Sequence, residues 1–227
     1  MKYLTFGFDD CEIYDRTLCN LFRKYGMKAT FFLISDQLGF KCDFNRYGED
    51  TVVERVSPGE IAETYKGMEV ATHTAAHKCP IGDLENSVFR SAEYLSELCG
   101  YTVKGMAYPG GVYTDEHIKR LKNSRIVYSR TTECTHGFKK PDEWFAWGPT
   151  CKYDDEGVLR LADEFIGSKS DEDQIFYIYG HSYELTRRQS GCDFASFEKL
   201  LDKLSGKDDI IYATNLEIAE NLRDFLI

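Results

Sequence analysis

Lys2-Tyr3-Leu4-Thr5-Phe6-Gly7-Phe8-Asp9-Asp10 sets how the rest of the chain is read. The stretch is mostly apolar and β-favouring, and it runs straight into two adjacent carboxylates. Downstream, Tyr14 to Tyr25 carries Leu18, Leu21, Phe22 and Tyr25 at helical spacing, with Gly26 placed to cap it. Lys28 to Ile34 follows as a second strand. Its unbroken run Phe31-Phe32-Leu33-Ile34 suits a strand buried on both faces, as in a parallel sheet.

The same rhythm continues outward from these elements. Residues 36–56 are polar and punctuated by glycine, which predicts a long loop on the substrate side. Ser57-Pro58-Gly59-Glu60 reads as a capping box opening a helix that Gly67 ends. Strands are predicted at 68–72, 103–107, 125–129, 174–179 and 209–213. Helices are predicted at 83–98, 114–122, 156–166, 193–204 and 214–226. Residues 131–153, with Trp144 and Trp147, read as irregular cleft wall. Alternating strands and helices favour a parallel sheet with right-handed crossovers. About seven parallel strands can close into a barrel, and 227 residues fill such a fold as a single domain over 1–227.

Composition narrows the function. A formal charge of −10 argues against nucleic acid, whose phosphates call for Lys and Arg, and against anionic membranes. No window holds eighteen consecutive apolar residues, and no leader-like pattern precedes the first strand, so a cytoplasmic protein is expected. Eight cysteines include no C-x-x-C pair, so all are expected reduced.

The polar residues fall where strands end. After the third strand comes Thr72-His73-Thr74-Ala75-Ala76-His77. On a helical turn, i and i+4 imidazoles lie on one face and can grip one metal ion. The carboxylates at Asp9 and Asp10 are the obvious source of a third ligand. Pro109-Gly110-Gly111 follows the fourth strand and Gly180-His181 ends a later one. One site at the C-terminal ends of barrel strands accounts for all four.

Phe8-Asp9-Asp10, His73-Thr74-Ala75-Ala76-His77, Pro109-Gly110-Gly111 and His181 together resemble the NodB-type polysaccharide deacetylases, carbohydrate esterase family four. The resemblance spans Leu4 to about Leu185. It implies a distorted (β/α) barrel and a hydrolase that removes N- or O-acetyl groups from sugars with one divalent metal, zinc being favoured. It implies Asp10, His73 and His77 as metal ligands and Asp9 as the general base. Gly110 would supply a backbone N–H for the oxyanion, and His181 would be the general acid. Tyr108, Pro109 and Trp147 are candidate contacts for an acetylated carbohydrate, although aromatics such as Tyr108, Trp147 and their neighbours Tyr113 and Trp144 more often serve as core or wall. Glu184, three residues beyond His181, is a candidate to orient it; His117 and His136 read as surface. The chain also departs from the family pattern. Cys11 stands where Gly usually follows the two aspartates, and Gly110 where Tyr is common. Ala107-Tyr108, with no Arg, precede Pro109, which leaves the partner of Asp9 open, and no tryptophan-containing fourth motif matches. Two other functions remain: hydrolysis of a different C–N bond, in a cyclic imide or ureide, and sugar binding without turnover.

Overall fold

The computed structural model describes residues 1–46, 49–186 and 191–223. Its strands are β1 (Lys2–Asp9), β2 (Thr30–Leu33), β3 (Lys41–Arg46), β4 (Glu49–Glu54), β5 (Glu69–Thr72), β6 (Gly105–Ala107), β7 (Tyr128–Arg130), β8 (Cys151–Lys152), β9 (Gln174–His181) and β10 (Ile210–Tyr212). Its α-helices are α1 (Asp15–Lys24), α2 (Ile61–Thr64), α3 (Arg90–Cys99), α4 (Asp115–Lys122), α5 (Val158–Gly167), α6 (Phe194–Leu204) and α7 (Asn215–Leu222).

The principal sheet is parallel throughout and runs β7-β6-β5-β2-β1-β9-β8. It curls into the expected distorted barrel. Strand β1 forks the sheet: β9 pairs along its whole length, while the opposite edge takes β10 at Lys2–Leu4 and β2 at Gly7–Asp9. The seam lies in the stretch expected to be irregular. Trp147 donates its N–H to Ser129 O and accepts from Thr131 N, while Thr150 N–H bonds to Tyr177 O. The chain from 147 to 150 therefore ties β7 to β9 and closes the wall.

Strict alternation on β1 sorts its side chains. Leu4, Phe6 and Phe8 face outward into the layer between sheet and helices, against Leu18, Cys19 and Phe22 of α1. Tyr3 belongs to the barrel interior, with Phe32, Tyr128, Trp147 and Tyr177. At the end where strands begin, α7 closes the interior with Ile218, Ala219 and Leu222. Thr214 and Glu217 form a reciprocal capping box at its start.

Several elements differ from the sequence reading. Residues 36–56 are not a plain loop: β3 and β4 form an antiparallel hairpin, with Lys41 opposite Glu54. Their sequences, KCDFNR and EDTVVE, carry too few apolar residues to show a clear alternation. The capping box at Ser57 and Glu60 is present but opens a short 3-10 turn and the single turn of α2. The helix expected at 83–98 starts as a π-helical turn over Glu85–Phe89 before α3. The last helix ends at Leu222, and the remainder of its expected span, 224–226, lies outside the described residues. Among the described residues, no helix is long and apolar enough to cross a membrane.

Candidate active site

Asp9 is the last residue of the inward file of β1, paired in register with His181 at the end of β9. Asp10 would face outward if the strand continued. Instead Asp10 adopts φ 80° and Cys11 φ 51°, a left-handed turn that few non-glycine residues accept. The turn swings the Asp10 carboxylate back over the barrel mouth beside Asp9. Arg55, at the foot of the β3–β4 hairpin, donates to the Asp10 carbonyl oxygen, and Val56 N–H bonds to Cys11 O. These bonds anchor a conformation that costs roughly 1–3 kcal/mol per strained residue.

The two histidines meet by a different route from the one expected. Residues 73–77 are not helical; Thr74 has φ 69° and His77 φ 56°. Thr74 Oγ1 accepts the Lys78 N–H at 3.0 Å, so a side chain closes the i to i+4 span that a helix would close with a carbonyl. The loop brings the two rings to 4.8 Å between centroids. His73 is buried, whereas the side chain of His77 is 44% exposed and faces the opening.

Asp10 Oδ1 is 3.9 Å from His73 Nε2 and 3.8 Å from His77 Nε2, and it is buried with no hydrogen-bond partner. The three donor atoms lie within 4.8 Å of one another. Burying a carboxylate oxygen without a partner is expensive, and a cation shared with two imidazoles removes the cost. His73 Nδ1 sits 2.9 Å from Ala107 O. With the proton on Nδ1, Nε2 turns a lone pair toward Asp10 and His77, the usual arrangement of a metal-binding histidine. Burial keeps His73 below its ordinary pKa despite Asp9 and Asp10, which favours that neutral form. The residues fit one divalent ion.

Asp9 has a partner that the sequence left open. Arg130, the last residue of β7, is fully buried, and one of its terminal nitrogens donates to both Asp9 oxygens, 2.6 Å from Oδ1. Its guanidinium lies between the rings of Phe32 and Tyr179, 5.2 and 5.1 Å from their centroids. Burial pushes the Asp9 pKa up, but Arg130, His73 and His181 outweigh it and hold the carboxyl below its usual range. Asp9 is therefore ionised at neutral pH.

His181 Nε2 lies 4.0 Å from Asp9 Oδ2 and from Asp10 Oδ2. Its Nδ1 is 3.3 Å from Glu184 Oε2, an ion-pair contact rather than an aligned hydrogen bond. Burial lowers the His181 pKa, but Glu184, Asp9 and Asp10 outweigh it and raise it above the ordinary value. Gly180 is required here by close approach: a Cβ would stand 2.2 Å from the Tyr153 ring.

The remaining candidates divide. Gly110 is exposed, with φ 62°, in the turn after β6. That turn follows directly on Ala107, whose carbonyl holds His73, and Pro109 beside it is partly exposed. Tyr108 and Trp147 are not brought to the opening. Tyr108 is fully buried, its hydroxyl bonded to Phe145 O at 3.0 Å. Trp147 is 2% exposed and packs edge-on to Tyr128 and Trp144 inside the barrel. His117 is not a surface residue either. It is buried, with Nδ1 accepting from Thr114 N and Nε2 2.9 Å from Cys79 O. His136 stays at the surface, 2.9 Å from Asp155.

Comparison with known proteins gives the family and the fold. The family model for polysaccharide deacetylase matches residues 1–128, more than half of the chain, and the chain belongs to that family. Among solved structures, a family 4 acetyl xylan esterase from Clostridium thermocellum, in complex with a cobalt ion, aligns at 14% identity with TM-score 0.57, covering 96% of this chain and 91% of that one. A family 4 carbohydrate esterase from Streptomyces lividans, in complex with acetate, aligns at 14% identity with TM-score 0.52, covering 89% of this chain and 87% of that one. A polysaccharide deacetylase from Bacillus cereus aligns at 23% identity with TM-score 0.50. That match covers 63% of this chain and 44% of the relative, so it spans less than half of the longer protein. Likeness at these identities establishes the fold. No curated protein matches the sequence.

Proposed function

We propose that the protein is a metal-dependent deacetylase that hydrolyses an N-acetyl or O-acetyl group on a sugar or polysaccharide. One observation carries the reading: the orphaned Asp10 carboxylate oxygen and two imidazoles surround one point, and a second carboxylate and a third imidazole stand about 4 Å away. Family membership and the esterase fold support it.

Asp10, His73 and His77 hold the ion; one carboxylate and two imidazoles suit zinc. When bound, such an ion polarises the acetyl carbonyl and makes a nearby water more acidic. Asp9, kept ionised by Arg130, takes a proton from the attacking water at its Oδ2 edge. Arg130 donates to both oxygens of that carboxylate, and Oδ2 also lies 3.9 Å from His73 Nε2 and 4.0 Å from His181 Nε2. Gly110 donates its N–H to the developing oxyanion, a contribution of about 3 kcal/mol for one such donor. His181 carries a proton on Nε2 and delivers it to the departing nitrogen or oxygen as the acyl bond breaks. Glu184 behind Nδ1 favours the protonated ring.

The test is acetate release from acetylated xylan and from N-acetylglucosamine oligomers, before and after stripping divalent metal and restoring zinc. Turnover lost on stripping and recovered with zinc is the expected result. Zinc binding with no acetate released from any acetylated glycan would make the site a sugar-binding module instead.

A further inference from the structure

Glu184 is a hub. Its Oε2 takes His181 Nδ1 at 3.3 Å, Lys152 Nζ at 3.0 Å and the Tyr153 hydroxyl at 3.2 Å. The three groups come from the end of β9, the end of β8 and the residue after β8, strands that the sheet sets side by side. Lys152 Nζ also donates to Asp154 Oδ2 at 3.2 Å. Lys152 and Glu184 are both partly buried, with side chains 30% and 19% exposed. Burial raises the Glu184 pKa, but His181 and Lys152 outweigh it and bring it down to about 2.

We propose that Lys152 is a positioning residue that acts on His181 through Glu184, holding the carboxylate in place and charge-paired while the imidazole gives up its proton. The proposal rests on the deacetylase reading above. The physical need arises within one turnover. Before proton transfer, Glu184 faces an imidazolium. Afterwards the proton is on the leaving nitrogen or oxygen, the acyl bond is broken, and His181 is neutral. A carboxylate paired only with His181 would then be left without a cationic partner at a largely buried site, which is unfavourable. That cost would be added to the barrier for proton donation. With Lys152 on the same oxygen, Glu184 has a cationic partner in both states, so the transfer carries less of it. Tyr153 adds a hydrogen bond that fixes the oxygen without charge.

The consequence is specific to the leaving group. A 4-nitrophenolate departs without a proton, whereas a sugar amine or alkoxide needs one. Lys152→Met and Lys152→Arg should therefore be compared with wild type on 4-nitrophenyl acetate and on an acetylated glycan. In Lys152→Met the ratio of glycan to aryl-ester kcat should fall about tenfold or more, within the range of a weakened general acid, with KM little changed. Lys152→Arg should restore most of the ratio. A loss equal on both substrates, as a merely structural defect would give, overturns the proposal, as does a ratio unchanged in Lys152→Met. Nitrogen-15 NMR gives a readout without turnover. The His181 Nδ1–H signal should be protected from exchange in wild type and Lys152→Arg and lost to solvent in Lys152→Met. If wild type cleaves neither substrate, the deacetylase reading fails by itself, and equal protection in all three proteins then overturns the role of Lys152.

Discussion

The two ends of the barrel interior both bury carboxylates, and they treat them in opposite ways. At the end where strands begin, Glu69 accepts from Thr30 Oγ1 and Tyr128 Oη, each at 2.7 Å, and from Leu216 N in the first turn of α7 at 2.9 Å. Beside it, Thr5, Asn215 and Tyr177 form a second chain of hydrogen bonds. No ion pair with Glu69 occurs among the described residues, and burial pushes its pKa up to about 7. At the end where strands finish, Asp9 is paired with a buried arginine, and Asp10 presents an oxygen with no partner across from two imidazoles. The lower carboxylate is surrounded by donors and serves to dock α7. In the upper pair Asp9 ends a regular strand against its arginine, whereas Asp10 sits on a left-handed turn and leaves one buried oxygen without a partner.

Breaking the upper end at its arginine should have the largest effect. Arg130→Met leaves Asp9 buried without its cation, which should cost about 3–5 kcal/mol of stability. It should also let the Asp9 carboxyl take up a proton and abolish the base role proposed for it. Urea denaturation and acetate release check both, and a stability loss below about 1 kcal/mol, typical of an exposed pair, would contradict the account.

The lower end should reveal itself through pH. Because Glu69 binds its proton more tightly folded than unfolded, its stabilising contribution is complete below the unfolded value of about 4.3. It is lost as pH rises from there through about 7. Urea midpoints of wild type and Glu69→Gln, compared between those pH values, should converge at the acid end and diverge toward neutrality, with wild type falling more steeply. Parallel curves would mean that Glu69 stays ionised in the fold, held by its three donors.

Most of the upper end was legible in the sequence because its residues lie in short local motifs after apolar strands. Asp9, Asp10, His73, His77 and His181 could each be placed at a strand end, and the ends of neighbouring parallel strands share one rim. Glu184 was legible from its spacing to His181. Arg130 was not, since it reaches Asp9 across 121 residues of chain and stands alone at the end of Tyr128-Ser129-Arg130. The signal available was a lone arginine closing a buried strand, a residue that needs a carboxylate wherever it goes. The aromatic candidates failed for a general reason. Tyr108 and Trp147 have large apolar surfaces, and closing the barrel and packing its outer layer claimed them first. The helical turn inferred for the histidine pair was also wrong in form, because spacing alone does not distinguish a helix from a loop tied by the Thr74 side chain.

In the proposed mechanism Asp10 holds the ion while Asp9 moves the proton. Metal content and acetate release measured together on Asp9→Asn and Asp10→Asn test it most directly. Asp9→Asn should bind zinc stoichiometrically and lose turnover by about 10²-fold or more. Asp10→Asn should bind zinc weakly and recover part of its turnover in excess metal. Loss of zinc from Asp9→Asn, or its rescue by added metal, would contradict that division of roles.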